Sequence, residues 1–390
     1  MRRADCRGCG RPALRLVHDF GEQPLAGHFP LEPERVERAP RYPLELWACE
    51  ACTLLQITSL PPIEEVFHAD YRYSSSTIPA LTRHFDEYGD WLSRQLVAGA
   101  KVMEFGCNDG VLLERLVKRG FDCRGVDASL NVVEVARAKG LSVDEGFFSS
   151  AYVAAAGIAG RFDLVTCSNV YAHVDDLSDV TNAAWQALAD SGLLAIEVHD
   201  ASGLSESCQF ETIYHEHLCY FTEGSLSQHL VAHGFRVLKV QRTAMHGGAL
   251  RVLAQKVQPS VREQTLGSGD PGWIEALGSA LRSGIERASG SISELSTRHE
   301  ALWGYGAAGR SQMFLNFTQS AHRLQAVFDD SPLRQDRFIC GTNLPIERFD
   351  SVQRPGCCVI LAWNYAPDVS ARIADRFDAV YTVLPELRQW

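Results

Sequence analysis

The segment Lys101-Val-Met-Glu-Phe-Gly-Cys-Asn-Asp-Gly110 joins a short apolar run to a glycine-spaced turn. A run of that length reads as a buried strand, and glycines at 106 and 110 let the turn bring backbone close to a ligand. The helix that the pattern predicts next, around 111–119, adds partial positive charge at its N-terminus. Further apolar runs at Cys123–Val126, Phe162–Thr166 and Leu193–Glu197 alternate with helical stretches around 130–139 and 177–190. Strands separated by helices predict an α/β fold on a doubly wound parallel sheet. Arg236–Val240 and Gly248–Gln255 are expected as two further strands.

Asp127 stands at the end of the second run, in Gly125-Val-Asp127, where a carboxylate can accept both hydroxyls of a ribose. The layout resembles class I S-adenosylmethionine-dependent methyltransferases: an acidic residue, a glycine-spaced turn, and a second acidic residue after the next strand. The resemblance implies Glu104, Gly106, Asn108, Asp109, Gly110, Asp127 and Asn169 as the S-adenosylmethionine site.

A second glycine turn, Gly304-Tyr-Gly306-Ala-Ala-Gly309, is followed by Arg310 and, twenty residues after Gly309, by Asp329. Taken alone it fits a dinucleotide fold and makes an NAD(P)-linked dehydrogenase the main rival. It sits in a C-terminal alternating unit with runs at 301–304, 324–328, 358–362 and 380–383. A turn of this kind holds any phosphate at a helix N-terminus, and Arg310 would assist. A Pro, Ser and Gly-bearing stretch at 257–272 reads as a linker, and a helix is expected from about 273 to 300.

Residues 1 to about 70 show no long helical period and read as a small irregular module that invites a metal staple. Cys6-x-x-Cys9 and Cys49-x-x-Cys52 provide four thiolates at knuckle spacing, the donor set of a tetrahedral zinc. With every position filled by sulfur, the metal is expected to be structural. Three modules result: 1–70, 71–258 and 259–390.

Of 390 residues, 46% are hydrophobic and 22% charged, ordinary values for a globular protein, and the formal charge of -11 weighs against a nucleic-acid binder. No apolar stretch is long enough to span a bilayer, and the N-terminus lacks a signal-peptide pattern. Twelve cysteines without an export signal suggest reduced thiols, so a cytoplasmic protein with neither membrane nor nucleic-acid partner is expected.

The densest chemistry lies at 211–221, Glu-Thr-Ile-Tyr-His-Glu-His-Leu-Cys-Tyr-Phe. Such groups are costly to bury unpartnered and are what proton abstraction near neutral pH requires. Tyr-His-Glu-His217, together with Asn169-Val-Tyr-Ala-His-Val174, His246-Gly-Gly-Ala-Leu-Arg251, Gly-Tyr-Gly-Ala-Ala308 and Asp329-Asp-Ser-Pro-Leu-Arg-Gln335, is similar to one family along nearly the whole chain. That family is the nucleotide-sugar C-methyltransferases of deoxysugar biosynthesis, of the tetronitrose and noviose types.

The resemblance implies a zinc module, a central S-adenosylmethionine domain and a C-terminal Rossmann-like domain that binds the nucleotide sugar. It makes His217 the base, with Tyr214 and Glu216 beside it and His173 near the reacting centre. Tyr71 and Tyr73 resemble a segment that closes the site. His246, Gly247, Gly304, Gly306, Gly309 and Arg310 fall on the side of the sugar nucleotide, a dTDP-linked 4-keto-deoxysugar. Arg310 stands where related chains often carry Lys.

On this reading His217 removes a proton from the carbon alpha to the ketone, and the enolate takes the methyl of S-adenosylmethionine. Methylation at oxygen or nitrogen, the dehydrogenase and a non-enzymatic zinc scaffold are the alternatives.

Overall fold

The computed structural model describes residues 3–62, 79–257, 272–349 and 354–390. Among these the strands form three sheets. The first begins with β1 (Leu14–Pro24), β2 (Arg41–Cys49) and β3 (Leu55–Ile57), paired antiparallel. The module expected to be irregular is thus built on two long strands. Register shifts in β1 between Leu16 and His18 and between Asp19 and Glu22 break the alternation that would have signalled a strand, and Gly21 lies at φ +70° in the second.

The central sheet holds β4 (Lys101–Phe105), β5 (Asp122–Asp127), β6 (Val143–Glu145), β7 (Phe162–Ser168) and β8 (Leu188–His199), all parallel in the order β6-β5-β4-β7-β8. The next strand along the chain, β9 (Cys219–Tyr220), leaves this sheet and pairs with β3. The central sheet is completed by β10 (Phe235–Thr243) and β11 (Ala249–Lys256), with β11 antiparallel to β8. The chain order reverses between β4 and β7. Loops at the C-terminal ends of strands beside such a reversal form the ligand crevice of open α/β sheets.

The helix expected at 177–190 ends at Ala187, and residues 188–190 already belong to β8, where Leu188 pairs with Phe162. Ala187-Leu-Ala189 continues a helical pattern locally, and cross-strand pairing overrides it. The third sheet contains β12 (Leu302–Tyr305), β13 (Val327–Asp329), β14 (Arg337–Ile339), β15 (Leu344–Arg348), β16 (Cys357–Ile360), β17 (Ala379–Thr382) and β18 (Arg388–Gln389). Its five inner strands are parallel in the order β15-β13-β12-β16-β17, with antiparallel β14 and β18 at the edges. The sequence pattern did not reveal β14, β15 or β18, which are short and lack a helix before them.

The helix Gly272–Arg298 buries Ile274, Leu277, Leu281, Ala288, Ile292 and Leu295 in one core cluster with residues of all three sheets. At Gly278 an added Cβ would lie 2.6 Å from the carbonyl oxygen of Val17, so β1 rests against the helix backbone there. No helix among the described residues is long and apolar enough to cross a membrane.

Candidate active site

The turn after β4 is forced by its neighbours. Gly106 lies at φ +63°, and a Cβ there would sit 2.2 Å from Cγ2 of Val170. Gly110, at φ +76°, begins the helix Val111–Lys118 and would place a Cβ 2.3 Å from Cδ1 of Leu141. Only glycine fits either position, on conformation and on space. Asp127 Oδ2 accepts from the Asn108 amide at 2.8 Å and Oδ1 from the Ser129 amide at 2.9 Å, so this carboxylate also ties the turn to β5. Asn169, at φ +55°, donates its amide to the Glu197 carbonyl of β8, and the next residue, Val170, packs against Gly106 in the turn.

Glu104 is buried beneath the turn, and its Oε2 has no hydrogen-bond partner. Burial, with Asp127 and Asp109 adding like charge, holds its carboxyl well above the usual range. A buried acceptor under a tight glycine turn fits a cationic cofactor such as S-adenosylmethionine. Asp109, fully buried, lies 3.6 Å from the ammonium of Lys139.

A second group gathers at the ends of β7 and β8 and in the loop before β9. His217 Nδ1 donates to the Thr212 carbonyl at 2.9 Å, and its Nε2 lies 2.9 Å from the Tyr214 hydroxyl. A carbonyl can only accept, so Nδ1 carries the proton and Nε2 accepts from Tyr214. The His173 ring lies 4.9 Å from that of His217, edge to face. Burial, with the nearby His173, His199 and Arg310, holds His217 well below the ordinary histidine value, which favours the neutral ring. Burial lowers His173 too, partly offset by backbone hydrogen bonding at Glu216 and Asn169. Burial pushes the Glu216 carboxyl up to about 7. The other histidine of the motif, His215, is buried toward the N-terminal sheet, with Nε2 3.2 Å from the Tyr42 carbonyl.

His246 sits at φ +55° in the turn Met245–Gly247. Burial, with Arg310 and His199 near, lowers it to about 3. A Cβ on Gly247 would lie 2.6 Å from Cη2 of Trp363, which explains the glycine. Arg251, at the end of the same motif, lies deeper: it pairs with the fully buried Glu197, whose other oxygen is 2.6 Å from Nε2 of His84.

The C-terminal turn departs from the expectation of a phosphate cradle. Gly304 lies inside β12, where a Cβ would meet Leu324 and Val327 at 3.0 Å. Gly309 faces the N-terminal module instead: a Cβ would approach Ala26 Cβ and the Gly27 nitrogen at 3.3 Å, and Gln312 bonds both Leu25 and Gly27. Close packing alone accounts for both glycines. Gly306 turns at φ +95° against Ala362. Arg310 does not stand free at the turn. Its Nη1 donates to the His246 carbonyl at 2.7 Å and its Nη2 to Glu211 Oε1 at 2.5 Å. Asp329 Oδ2 and Oδ1 accept from the Ala307 and Ser331 amides. Asp329 thus ties the turn to β13 as Asp127 ties the first turn to β5.

Sequence reasoning missed His199, Gln209 and Trp363 and left Glu211 without a role. His199 is the last residue of parallel strand β8 and Trp363 lies just past the C-terminal end of β16, the one signal that could have singled them out. His199 Nε2 lies 2.8 Å from Gln209 Oε1, and Gln209 Nε2 donates to the Gly247 carbonyl. Tyr71 and Tyr73 lie outside the described residues.

In the N-terminal module the Sγ atoms of Cys6, Cys9, Cys49 and Cys52 all lie within 4.8 Å of one another, with Cys6–Cys52 at 3.4 Å and Cys9–Cys49 at 3.6 Å. Four thiolates at about 2.3 Å from one zinc would stand about 3.8 Å apart, so the quartet fits that ion. Arg7, between the first two cysteines, donates to the Ile57 carbonyl and to Asp175, and so joins the knuckle to the chain just after His173.

Comparison with known proteins agrees with this geometry. Residues 6–67 match a family model described as "Putative zinc binding domain", residues 81–240 a "Methyltransferase domain", and residues 244–380 a "C-methyltransferase C-terminal domain". The C-methyltransferase NovU of Streptomyces niveus is 30% identical over 383 residues, 94% of this chain and 91% of that protein. A ubiquinone biosynthesis O-methyltransferase of Aromatoleum aromaticum is 35% identical over 108 residues, 26% of this chain and 46% of that enzyme. That match is confined to a quarter of the chain, whereas the likeness to NovU runs through all three sheets. The chain belongs to the S-adenosylmethionine-dependent C-methyltransferases, in the family that includes NovU.

Proposed function

We propose that this enzyme methylates the carbon alpha to the ketone of a dTDP-linked 4-keto-deoxysugar, with His217 as the base. The observation that carries the reading is the His217 ring. Nδ1–H is spent on the Thr212 carbonyl, and burial keeps the lone pair at Nε2 unprotonated. A C–H beside a ketone is weakly acidic because its carbanion delocalises onto oxygen. Once the Tyr214 O–H turns away from the Nε2 lone pair that it occupies here, Nε2 takes that proton, the C–H electrons become the enolate, and the enolate carbon forms the new C–C bond. S-adenosylmethionine supplies a sulfonium methyl, leaving as neutral S-adenosylhomocysteine. Tyr214, donating to Nε2, orients the ring and stands where substrate would approach; Glu216 and His173 complete the polar wall. The remaining contributions are alignment and a water-poor environment.

Glu104, Gly106, Asn108, Asp109, Gly110, Asp127 and Asn169 would hold the cofactor. His246, Gly247 and Gly306, with Tyr71 and Tyr73, would border the sugar nucleotide. Zinc on Cys6, Cys9, Cys49 and Cys52 has no open position and is structural in this reading. The same reading divides the chain into 1–70, 71–258 and 259–390. NovU, a C-methyltransferase by name, supports transfer to carbon over oxygen or nitrogen.

The test is incubation with S-adenosylmethionine and 4-keto-deoxysugar nucleotides deuterated at C3 and C5. Transfer to carbon must wash one deuteron out of the product, and NMR locates the new methyl. Retention of both labels in a methylated product removes the carbon-acid mechanism.

A further inference from the structure

One carboxylate links the C-terminal domain to the loop that leads to His217. Glu211, 1% exposed, sits three residues before Tyr214 on the short turn Phe210–Thr212. Its Oε1 receives two donors from the C-terminal domain: Arg310 Nη2 at 2.5 Å and the indole Nε1 of Trp363 at 2.9 Å. Arg310 also holds the His246 carbonyl at 2.7 Å, and its guanidinium lies 5.6 Å from the centre of the Trp363 ring. Trp363 in turn packs so closely on Gly247 that a Cβ cannot fit. Gln209, two residues before Glu211, bonds both the Gly247 carbonyl and His199. The turn at 245–247 is thus gripped from two domains at once. The same loop runs on to Thr212, whose carbonyl sets the His217 tautomer.

We propose that the Glu211–Arg310 pair is a positioning device: it clamps the His246 turn and the loop bearing His217 into one geometry, so that the C-terminal domain completes the methyl-transfer site. The proposal rests on the carbon-acid reading for its kinetic consequence but not for its structural one. Arg310, beside the glycine turn where a phosphate ligand was expected, acts across the domain boundary. A buried ion pair with one partner removed leaves an uncompensated charge, so the two residues must act as a unit.

The test uses full-length, zinc-loaded protein with the variants Glu211→Gln, Arg310→Met and Arg310→Lys and the double variant Glu211→Gln/Arg310→Met. Two readouts need no substrate. The first is histidine ring titration by NMR. The groups facing His199 and His246 are Arg310, Glu211, Asp200, Glu197 and His84, besides each other. Removing the cation should raise the titration points of both rings; removing the carboxylate should lower that of His199. The second is amide hydrogen exchange at 245–248, which should accelerate at least tenfold in both single variants. In turnover, kcat should fall at least tenfold in Glu211→Gln and Arg310→Met, with S-adenosylmethionine affinity within twofold of wild type. Arg310→Lys should restore part of it, and the double variant should be no worse than the poorer single one.

Unmoved titrations with unchanged exchange would overturn the proposal, as would losses that multiply in the double variant. Failure of the sugar reading is distinguishable: wild type would then release no S-adenosylhomocysteine with any 4-keto sugar, while the titration and exchange results would still decide the clamp.

Discussion

The Nδ1–H of His217 meets the carbonyl oxygen of Thr212 at 2.9 Å, and this contact decides which ring nitrogen is left for chemistry. Thr212 lies five residues earlier in the same loop, so the tautomer depends on the shape of that loop rather than on pH. With Nε2 kept basic, replacing His217 by Asn should lower kcat by about 10²–10⁴, the range of a general base. Calorimetry should find S-adenosylmethionine affinity unchanged, because Gly106–Gly110 is built from other strands. Wild-type kcat in His217→Asn would exclude the ring as base.

Because His217 is held well below the ordinary histidine value, its base form persists below pH 6.5. The group set to titrate near neutrality is Glu216, pushed up to about 7 by burial. The pH profile of kcat/KM should show an inflection near 7 that disappears in Glu216→Gln. A carboxyl whose folded value is raised binds its proton more tightly in the native state. Its contribution to stability is therefore present at pH 4 and is lost as pH rises through 7. Glu216→Gln should raise Tm relative to wild type more at pH 8 than at pH 5. Equal shifts at both would remove Glu216 as the titrating group.

Gly106 and Gly110 have both positive φ and no room for a methyl group. Alanine at either should cost on the order of 1–3 kcal/mol of strain and weaken S-adenosylmethionine binding, since Val170 or Leu141 must give way. Gly140 is the control. It also lies at a positive φ, +81°, but a Cβ there meets nothing within 4 Å. Gly140→Ala should lower Tm modestly and leave cofactor affinity unchanged by titration calorimetry.

The cysteine knuckles and the loop bearing His217 are joined through one sheet. Leu55 of β3 pairs with Tyr220 of β9, three residues after His217, and His229 Nδ1 lies 3.0 Å from the carbonyl of Gly8, between Cys6 and Cys9. Chelation, or Cys9→Ser, should lower turnover along with zinc content and should lower the Tm of the whole chain, not only of the module. Metal analysis, calorimetry and turnover on one sample check this. Full turnover in a metal-free sample would uncouple the two.

Much of this was legible locally. The alternation around Lys101–Phe105 and the spacing of Gly106 and Gly110 were readable because strand, turn and helix are each set by neighbours within a few residues. The Cys6/Cys9 and Cys49/Cys52 pairs were readable because metal geometry demands that spacing. The Tyr214–His217 motif was readable by its chemical density. β1 was not, because bulges break its period.

The chain by itself determined the doubly wound class, the glycine turn after β4, the spacing of the cysteine quartet and the histidine-rich loop at 211–221. Tertiary structure alone decided that Arg310 turns from its own glycine turn to Glu211, 99 positions away, that Gly304 and Gly309 serve packing, and that β9 crosses to the N-terminal sheet. The reason is physical. Backbone sterics and periodic burial act over a few residues and leave a trace in order and spacing. The choice between two possible partners for one guanidinium rests on which surfaces meet when separate sheets pack, and no local pattern records that.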